Sequence, residues 1–140
     1  IMWIDSDAIF TNFDKKVEDI IKKQPNKNLL VCNDIGGWEF NAGVQIWKNT
    51  QWSTDMLHAW WNMKHVGHIQ GGDQVQLIRL MTKVDPFLQE YHIFDQTEFN
   101  CHPKVHKSGM FILHMMGMSG DERIERFKYW NSIHGIQKLF

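Results

Sequence analysis

The sequence predicts an α/β fold, because short apolar runs of strand type alternate with longer segments of helical periodicity. The strand-like runs lie at residues 1–4, 29–32, 40–47, 91–94 and 110–116. Apolar residues recur at helical spacing between them, at about residues 14–23, 53–66, 72–85 and 121–133. There is no internal repeat and no linker, so the pattern indicates one domain over residues 1–140.

Length and charge narrow the classes of function. The 140 residues suit one domain with a real core, and 15 basic against 16 acidic residues give a net charge of −1. The charges are interspersed, which argues against a nucleic-acid partner or a membrane surface. No apolar run approaches the roughly 20 residues that span a bilayer, so we expect no membrane segment within this chain.

The first ten residues carry the strongest chemical signal. Four apolar residues lead directly into Asp5 and Asp7, which predicts a buried strand that ends at an open sheet edge. Side chains two apart on an extended segment point the same way, so the two carboxylates could share a ligand. Because such carboxylates repel, the pair favours a divalent cation such as Mg²⁺, Mn²⁺ or Ca²⁺. The alternative is a capped turn, in which the acids accept backbone N–H bonds.

The elements that follow are bounded by ordinary start and stop signals. Residues 29–32 predict a second buried strand, and residues 40–47 a third that is entered through Asn41-Ala42-Gly43. Polar residues at 49–53 predict a helix that starts near Ser53 and ends before Gly67.

A further helix and strand complete the pattern in the second half. Gly71-Gly72-Asp73 should open a helix that Pro86 closes, with Asp73 near the positive end of the helix dipole. The last apolar strand ends in His114, and Gly117 follows it.

Taken in order, four of these stretches resemble a known family. They are Trp3-Ile4-Asp5-Ser6-Asp7, Asn41-Ala42-Gly43 with the later Gln51-Trp52-Ser53, Asp73-Gln74, and His114 with Gly117. The set is similar to the galactosyl-, xylosyl- and mannosyltransferase family of GT-A glycosyltransferases, which includes plant xyloglucan xylosyltransferases. The resemblance implies a GT-A-like nucleotide-diphospho-sugar transferase fold. It also implies a fragment that starts at the strand of the two acids and lacks part of the N-terminal nucleotide-binding half.

The resemblance implies a metal site and a nucleotide site. Asp5 would contact the ribose and the metal, Asp7 would be a direct ligand, and His114 would complete the set. An imidazole ligand suits Mn²⁺ better than Ca²⁺, with Mg²⁺ as the other choice. For His114 the alternative is a histidine at a strand end that is hydrogen bonded to backbone.

Other residues are assigned to the sugar by the same resemblance. Asp73 and Gln74 would lie beside the donor sugar as the catalytic pair, although an acid in a first turn is also an ordinary helix start. Asn41, Ala42 and Gly43 would line the sugar and acceptor side, where glycine permits close approach, and the alternative is an ordinary strand-entry turn. Ser6 and Gly117 are expected to bind substrate as well.

The function that the resemblance implies is a metal-dependent retaining transfer of a sugar from a nucleoside-diphosphate donor, with UDP as the nucleotide. The acceptor would be a glycan or glycoconjugate. In a eukaryote the protein would act in the Golgi lumen or at its membrane, with any anchor outside this chain. The family's phosphate-binding lysine is missing after Gly117, and Arg123 is a candidate to replace it. The N-terminus of the last helix is the other candidate, although Asp121 and Glu122 would oppose a phosphate there.

Two other classes of function remain open at this point. A haloacid-dehalogenase-like phosphatase also begins with an apolar strand and two acids, but the stretch from Gly72 to Leu77 lacks the later acid that such enzymes need. The non-enzymatic alternative is a nucleotide- or sugar-binding domain without turnover.

Overall fold

The computed structural model describes residues 1–63, 72–84, 87 and 89–134, and it confirms the α/β class. The elements in chain order are β1 (Met2–Ile4), β2 (Ala8–Phe10), α1 (Val17–Lys23), β3 (Leu29–Cys32), β4 (Asn41–Trp47), α2 (Gln51–Asn62), α3 (Gly72–Lys83), β5 (Tyr91–Phe94), β6 (Ile112–His114) and α4 (Gly120–His134). The predicted boundaries at Gly67, Gly71 and Pro86 lie outside the described residues.

The larger sheet has four strands in the order β1-β4-β3-β5. β4 is antiparallel to both of its neighbours, whereas β3 and β5 are parallel. All residues of β3 and β4 are buried. The apolar run at residues 29–32 predicts this for β3, whereas β4 also buries the polar residues Asn41 and Gln45. The expectation of a buried first strand is wrong, because β1 lies at the sheet edge and Trp3 is 58% exposed. An apolar run of four residues does not distinguish an edge strand from a central one.

A second, two-stranded sheet pairs β2 with β6. The sequence does not separate β2 from the acid stretch that precedes it, and the predicted last strand is shortened to Ile112–His114. In the antiparallel register Ala8 lies opposite His114. This pairing brings Asp7, which directly precedes Ala8, beside the histidine at the end of β6.

The larger sheet is covered on both faces, which explains why its central strands are buried. Leu29 and Val31 of β3 pack with Met56 of α2 and Leu77 of α3 in one apolar cluster. The alternate residues Leu30 and Cys32 belong to a second cluster, which contains Ile20 and Phe99 among others. Within the described part of the chain, no helix is both long and apolar enough to cross a bilayer.

We predict that Met56→Ala lowers the free energy of unfolding by about 2–5 kcal/mol, because it leaves a cavity in a fully buried position. Leu57→Ala is the matched control on the same helix, since Leu57 is 45% exposed and should cost less than about 1 kcal/mol. Denaturation by urea, followed by circular dichroism, measures both values. Equal losses for the two variants would contradict this packing of α2 on the sheet.

Candidate metal centre

Asp5 and Asp7 lie in a tight turn rather than on an extended segment. The backbone N–H of Ala8 donates to the carbonyl of Asp5 at 3.1 Å, which closes a four-residue turn between β1 and β2. The predicted convergence of the two acids is nevertheless present. His114 Nε2 lies 3.1 Å from Asp7 Oδ1 and 4.0 Å from Asp5 Oδ2. One ligand atom from each of the three residues lies within 4.8 Å of the other two.

Neighbouring groups on β1 and β4 hold Asp5 in place. Its backbone N–H donates to the carbonyl of Gly43 at 2.8 Å. The indole N–H of Trp3 donates to Asp5 Oδ1 at 2.9 Å, and Asp5 Oδ2 is the oxygen that faces His114. The exposed Trp3 therefore helps to position the carboxylate of Asp5. It can reach this carboxylate because it lies two residues before Asp5 in the chain.

Asp7 lies between a histidine and an arginine. Its carbonyl accepts from the backbone N–H of Met115 at 3.0 Å, which fixes the turn against the end of β6. Arg123 Nε, on the first turn of α4, lies 3.1 Å from Asp7 Oδ2 as an ion pair that lacks the alignment of a hydrogen bond. The structure thus places Arg123, a candidate for the missing lysine, at the same site.

His114 is only 2% exposed, and its two ring nitrogens face side chains. Nδ1 lies 2.8 Å from Asn100 Oδ1, and Nε2 faces Asp7. Burial lowers the pKa of His114, although Asp7 and Asp5 oppose part of that effect. The neutral imidazole is therefore favoured, and it is the form that binds metal ions. The ring is hydrogen bonded to an asparagine side chain rather than to backbone.

Gly43 is required by the histidine ring. A Cβ at this position would overlap with His114 Cε1 and would lie 2.9 Å from both His114 Nδ1 and Asp5 Oδ2. The sequence predicts that this glycine lets a substrate approach the backbone. In the structure the space beside Gly43 is filled by His114, which packs directly against β4, and the contact of Gly43 with a substrate stays a prediction.

The other residues at the start of β4 are hydrogen bonded to neighbouring protein groups. Asn41 is 7% exposed, and its amide contacts Asp34, Gly43 and Asn100. The backbone N–H of Ala42 donates to Gln74 Oε1 at 2.9 Å, so Gln74 joins the first turn of α3 to the strand residue next to Gly43. Their predicted contacts with a sugar stay predictions.

Three further predicted residues lie at exposed or turn positions. Asp73 is exposed in the first turn of α3, and its backbone carbonyl accepts from the indole N–H of Trp60 at 3.1 Å. Gly117, three residues beyond His114, has a φ of 71°, a left-handed conformation that favours glycine. Ser6 lies at the tip of the acid turn and lines a cavity.

That cavity opens directly onto the two acids. Its volume is about 540 Å³, and its lining residues are Trp3, Ile4, Asp5, Ser6, Asp7 and Arg123. A volume of this size is within the range of small-ligand sites. Asp73, Gln74 and Asn41 are not among its lining residues.

The donor set fits a divalent cation. Two carboxylates and a buried imidazole can each supply one ligand atom, and oxygen and nitrogen donors of this kind are common ligands of divalent cations. Asn100, which is not among the residues predicted from the sequence, is hydrogen bonded to Nδ1 of His114, the ring nitrogen that faces away from the two acids. No spacing rule would have found it, because it lies in an irregular segment and reaches His114 only through the tertiary fold.

Comparison with solved structures shows the fold of the chain. The fold matches a glycosyltransferase involved in the glycosylation of the major capsid of PBCV-1, with a TM-score of 0.73 and 20% identity over 91% of this chain and 65% of that one. The chain therefore has the glycosyltransferase fold that the resemblance implies.

No family model matches the chain. Comparison with single proteins does find relatives that match about half of the chain. Galactomannan galactosyltransferase 1 of Cyamopsis tetragonoloba is 35% identical over 74 residues, 45% of this chain and 16% of its own length. Xyloglucan 6-xylosyltransferase 4 of Arabidopsis thaliana is 36% identical over 77 residues, 50% of this chain and 15% of its own length. The predicted resemblance to plant galactosyl- and xylosyltransferases is thus confirmed, for a chain that covers about a sixth of these relatives.

We predict that Gly43→Ala destabilises the protein by about 1–3 kcal/mol or more, because the new methyl group must displace the buried His114 ring. Gly120→Ala is the matched control, since a Cβ there meets nothing within 4 Å and the site begins a helix. Chemical denaturation compares the two. A Gly43→Ala variant as stable as Gly120→Ala would contradict the packing of His114 on β4.

Proposed function

We propose that residues 1–140 form one GT-A-like catalytic unit, a fragment that starts at the strand of the two acids, of a metal-dependent glycosyltransferase. It would move a sugar from a nucleoside-diphosphate donor, with UDP as the nucleotide, to a glycan or glycoconjugate, with retention of anomeric configuration. The observation that supports this best is the convergence of Asp5, Asp7 and His114 in a glycosyltransferase fold, with the two acids lining a cavity and His114 buried behind them.

Asp5, Asp7 and His114 are the residues that would hold the cation, with Mn²⁺ as the first choice and Mg²⁺ as the second. When bound, such a cation neutralises the diphosphate charge that develops as the glycosidic bond breaks. Arg123 faces the same cavity and adds a fixed positive charge beside Asp7, which suits a phosphate oxygen. It is the residue proposed to replace the family's lysine.

The sugar is assigned to the side of the site where α3 meets β4. Gln74 fixes the start of α3 to Ala42, and Asp73 precedes it in the same turn. We assign the carboxylate of Asp73 to sugar hydroxyls and the amide of Gln74 to the region of the anomeric carbon. Asn41, Ala42 and Gly43 form the neighbouring strand, while Ser6 and Gly117 border the acid turn and the end of β6.

Retention is assigned to a same-face displacement rather than to a covalent intermediate. The bond between the anomeric carbon and the diphosphate oxygen breaks, and the acceptor oxygen bonds to the same face of that carbon. The acceptor proton passes to the departing phosphate oxygen, so no protein nucleophile is needed. The phosphatase hypothesis is not carried forward, because the fold similarity is to a glycosyltransferase.

We predict that UDP binds this chain in the presence of Mn²⁺ and that Asp7→Ala removes the metal-dependent part of the binding. The reason is that Asp7 offers an oxygen 3.1 Å from His114 Nε2, at the centre of the ligand set. Calorimetric titration of UDP with and without Mn²⁺ measures the effect. His114→Ala should lower the Mn²⁺ affinity by roughly 10-fold or more if the ring is a direct ligand.

Asp19→Ala is the matched control, because Asp19 is an exposed acid paired with Lys22 on α1. It should leave both titrations unchanged. Metal-dependent UDP binding of normal strength in Asp7→Ala would contradict the assigned site. If the unmodified chain and these variants bind as expected, turnover with UDP-sugars then tests sugar transfer. The anomeric signal of the product in the proton NMR spectrum tests retention.

A further inference from the structure

A continuous line of buried amides connects a loop carboxylate to the candidate metal centre. Asn41 Nδ2 lies 3.2 Å from Asp34 Oδ1, and Asn41 Oδ1 lies 2.9 Å from Asn100 Nδ2. Asn100 Oδ1 then lies 2.8 Å from His114 Nδ1. Both asparagines and the histidine are buried, and Asn100 is fully so.

The direction of this line is fixed at Asn41. The backbone N–H of Gly43 lies 2.9 Å from Asn41 Oδ1 and can only donate. The carboxylate of Asp34, on the other side of the amide, can accept but not donate when it is ionised. Rotating the amide of Asn41 by half a turn would place donor against donor and acceptor against acceptor. The amide therefore has one satisfactory orientation.

That orientation determines the proton position on the histidine. Because Asn41 presents an oxygen, Asn100 must present its amide nitrogen to it and its own oxygen to His114. Nδ1 of the ring must then carry a hydrogen, since an unprotonated nitrogen would face an oxygen lone pair. Water cannot replace these bonds in a buried position, and a group left without a partner there is costly.

We propose that Asn41 and Asn100 are positioning residues that hold His114 in the Nδ1–H tautomer, with the Nε2 lone pair directed at Asp5 and Asp7. This inference rests on the proposed function, because the proposed function supplies the metal ion that Nε2 of His114 would bind. It also gives Asn41 a role different from the predicted sugar contact.

The hydrogen bonds from Asp34 through Asn41 and Asn100 to His114, which we call the relay, are needed because Asp7 favours the opposite tautomer of His114. Its Oδ1 lies 3.1 Å from Nε2, close enough to accept a charge-assisted hydrogen bond from an Nε2–H group. A ring in that state has no lone pair at Nε2 for a cation. The hydrogen bond from Nδ1 to Asn100 opposes this, in the way that outer groups orient histidine ligands at many metal sites.

The test is the ¹⁵N NMR spectrum of the histidine ring in the metal-free chain. At about pH 8.5, roughly two units above the ordinary histidine pKa, the imidazole is neutral and each nitrogen shows whether it carries a hydrogen. We expect a protonated Nδ1 and an unprotonated Nε2 for His114. An Nε2–H tautomer in the unmodified chain would overturn the inference, and this measurement needs no variant.

One variant of Asn100 then tests the cause. Asn100→Leu removes the acceptor, and we expect His114 to change to the Nε2–H tautomer. Gln45→Leu is the matched control, because it removes a buried amide from β4 that bonds Ala42 and Trp47 rather than His114. A folded Asn100→Leu variant that keeps Nδ1–H would contradict the relay.

Titration of Mn²⁺ into the same proteins separates this inference from the proposed function. Asn100→Leu should bind Mn²⁺ about 10–100-fold more weakly than the unmodified chain, while Gln45→Leu should stay close to it. An unmodified chain with the Nδ1–H tautomer and no Mn²⁺ binding would support the relay and contradict the proposed metal site. Normal Mn²⁺ affinity in Asn100→Leu would overturn the positioning role.

Discussion

The packing of the His114 ring against Gly43 is the contact on which the site depends. Gly43 belongs to the four-stranded sheet and His114 to the two-stranded one, so this contact joins the two sheets at the point where the acid turn passes between them. The absence of a side chain at residue 43 lets the ring sit against the backbone of β4. The backbone N–H of Asp5 donates a hydrogen bond to the carbonyl of the same glycine. One small residue therefore sets the positions of the histidine and the first acid.

The charges around this contact form a group that could bind a divalent cation. Two carboxylates are held within 4.8 Å of each other and of an imidazole whose neutral form is favoured by burial. Arg123 offsets part of the negative charge through Asp7. Two neighbouring carboxylates repel each other, and a divalent cation is a partner that would offset this repulsion.

The sequence predicts much of this architecture, because apolar runs and helical periodicity mark most elements directly. It brings His114 to Asp5 and Asp7 only through the family resemblance, since His114 lies more than 100 residues from either acid in the chain. What it misses depends on tertiary contacts. β2 is too short to be distinguished from the acid turn, β1 looks like a central strand, and the roles of Gly43, Asn41 and Asn100 follow from which side chain each one meets. None of those contacts leaves a periodic signal.

The most direct test of the central claim is the position of a metal ion in crystals soaked with Mn²⁺, located by anomalous scattering. We predict a peak within bonding distance of His114 Nε2 and of one oxygen each from Asp5 and Asp7, with Nδ1 still bonded to Asn100. A manganese peak bound elsewhere, with His114 Nε2 donating a hydrogen bond to Asp7, would contradict the account.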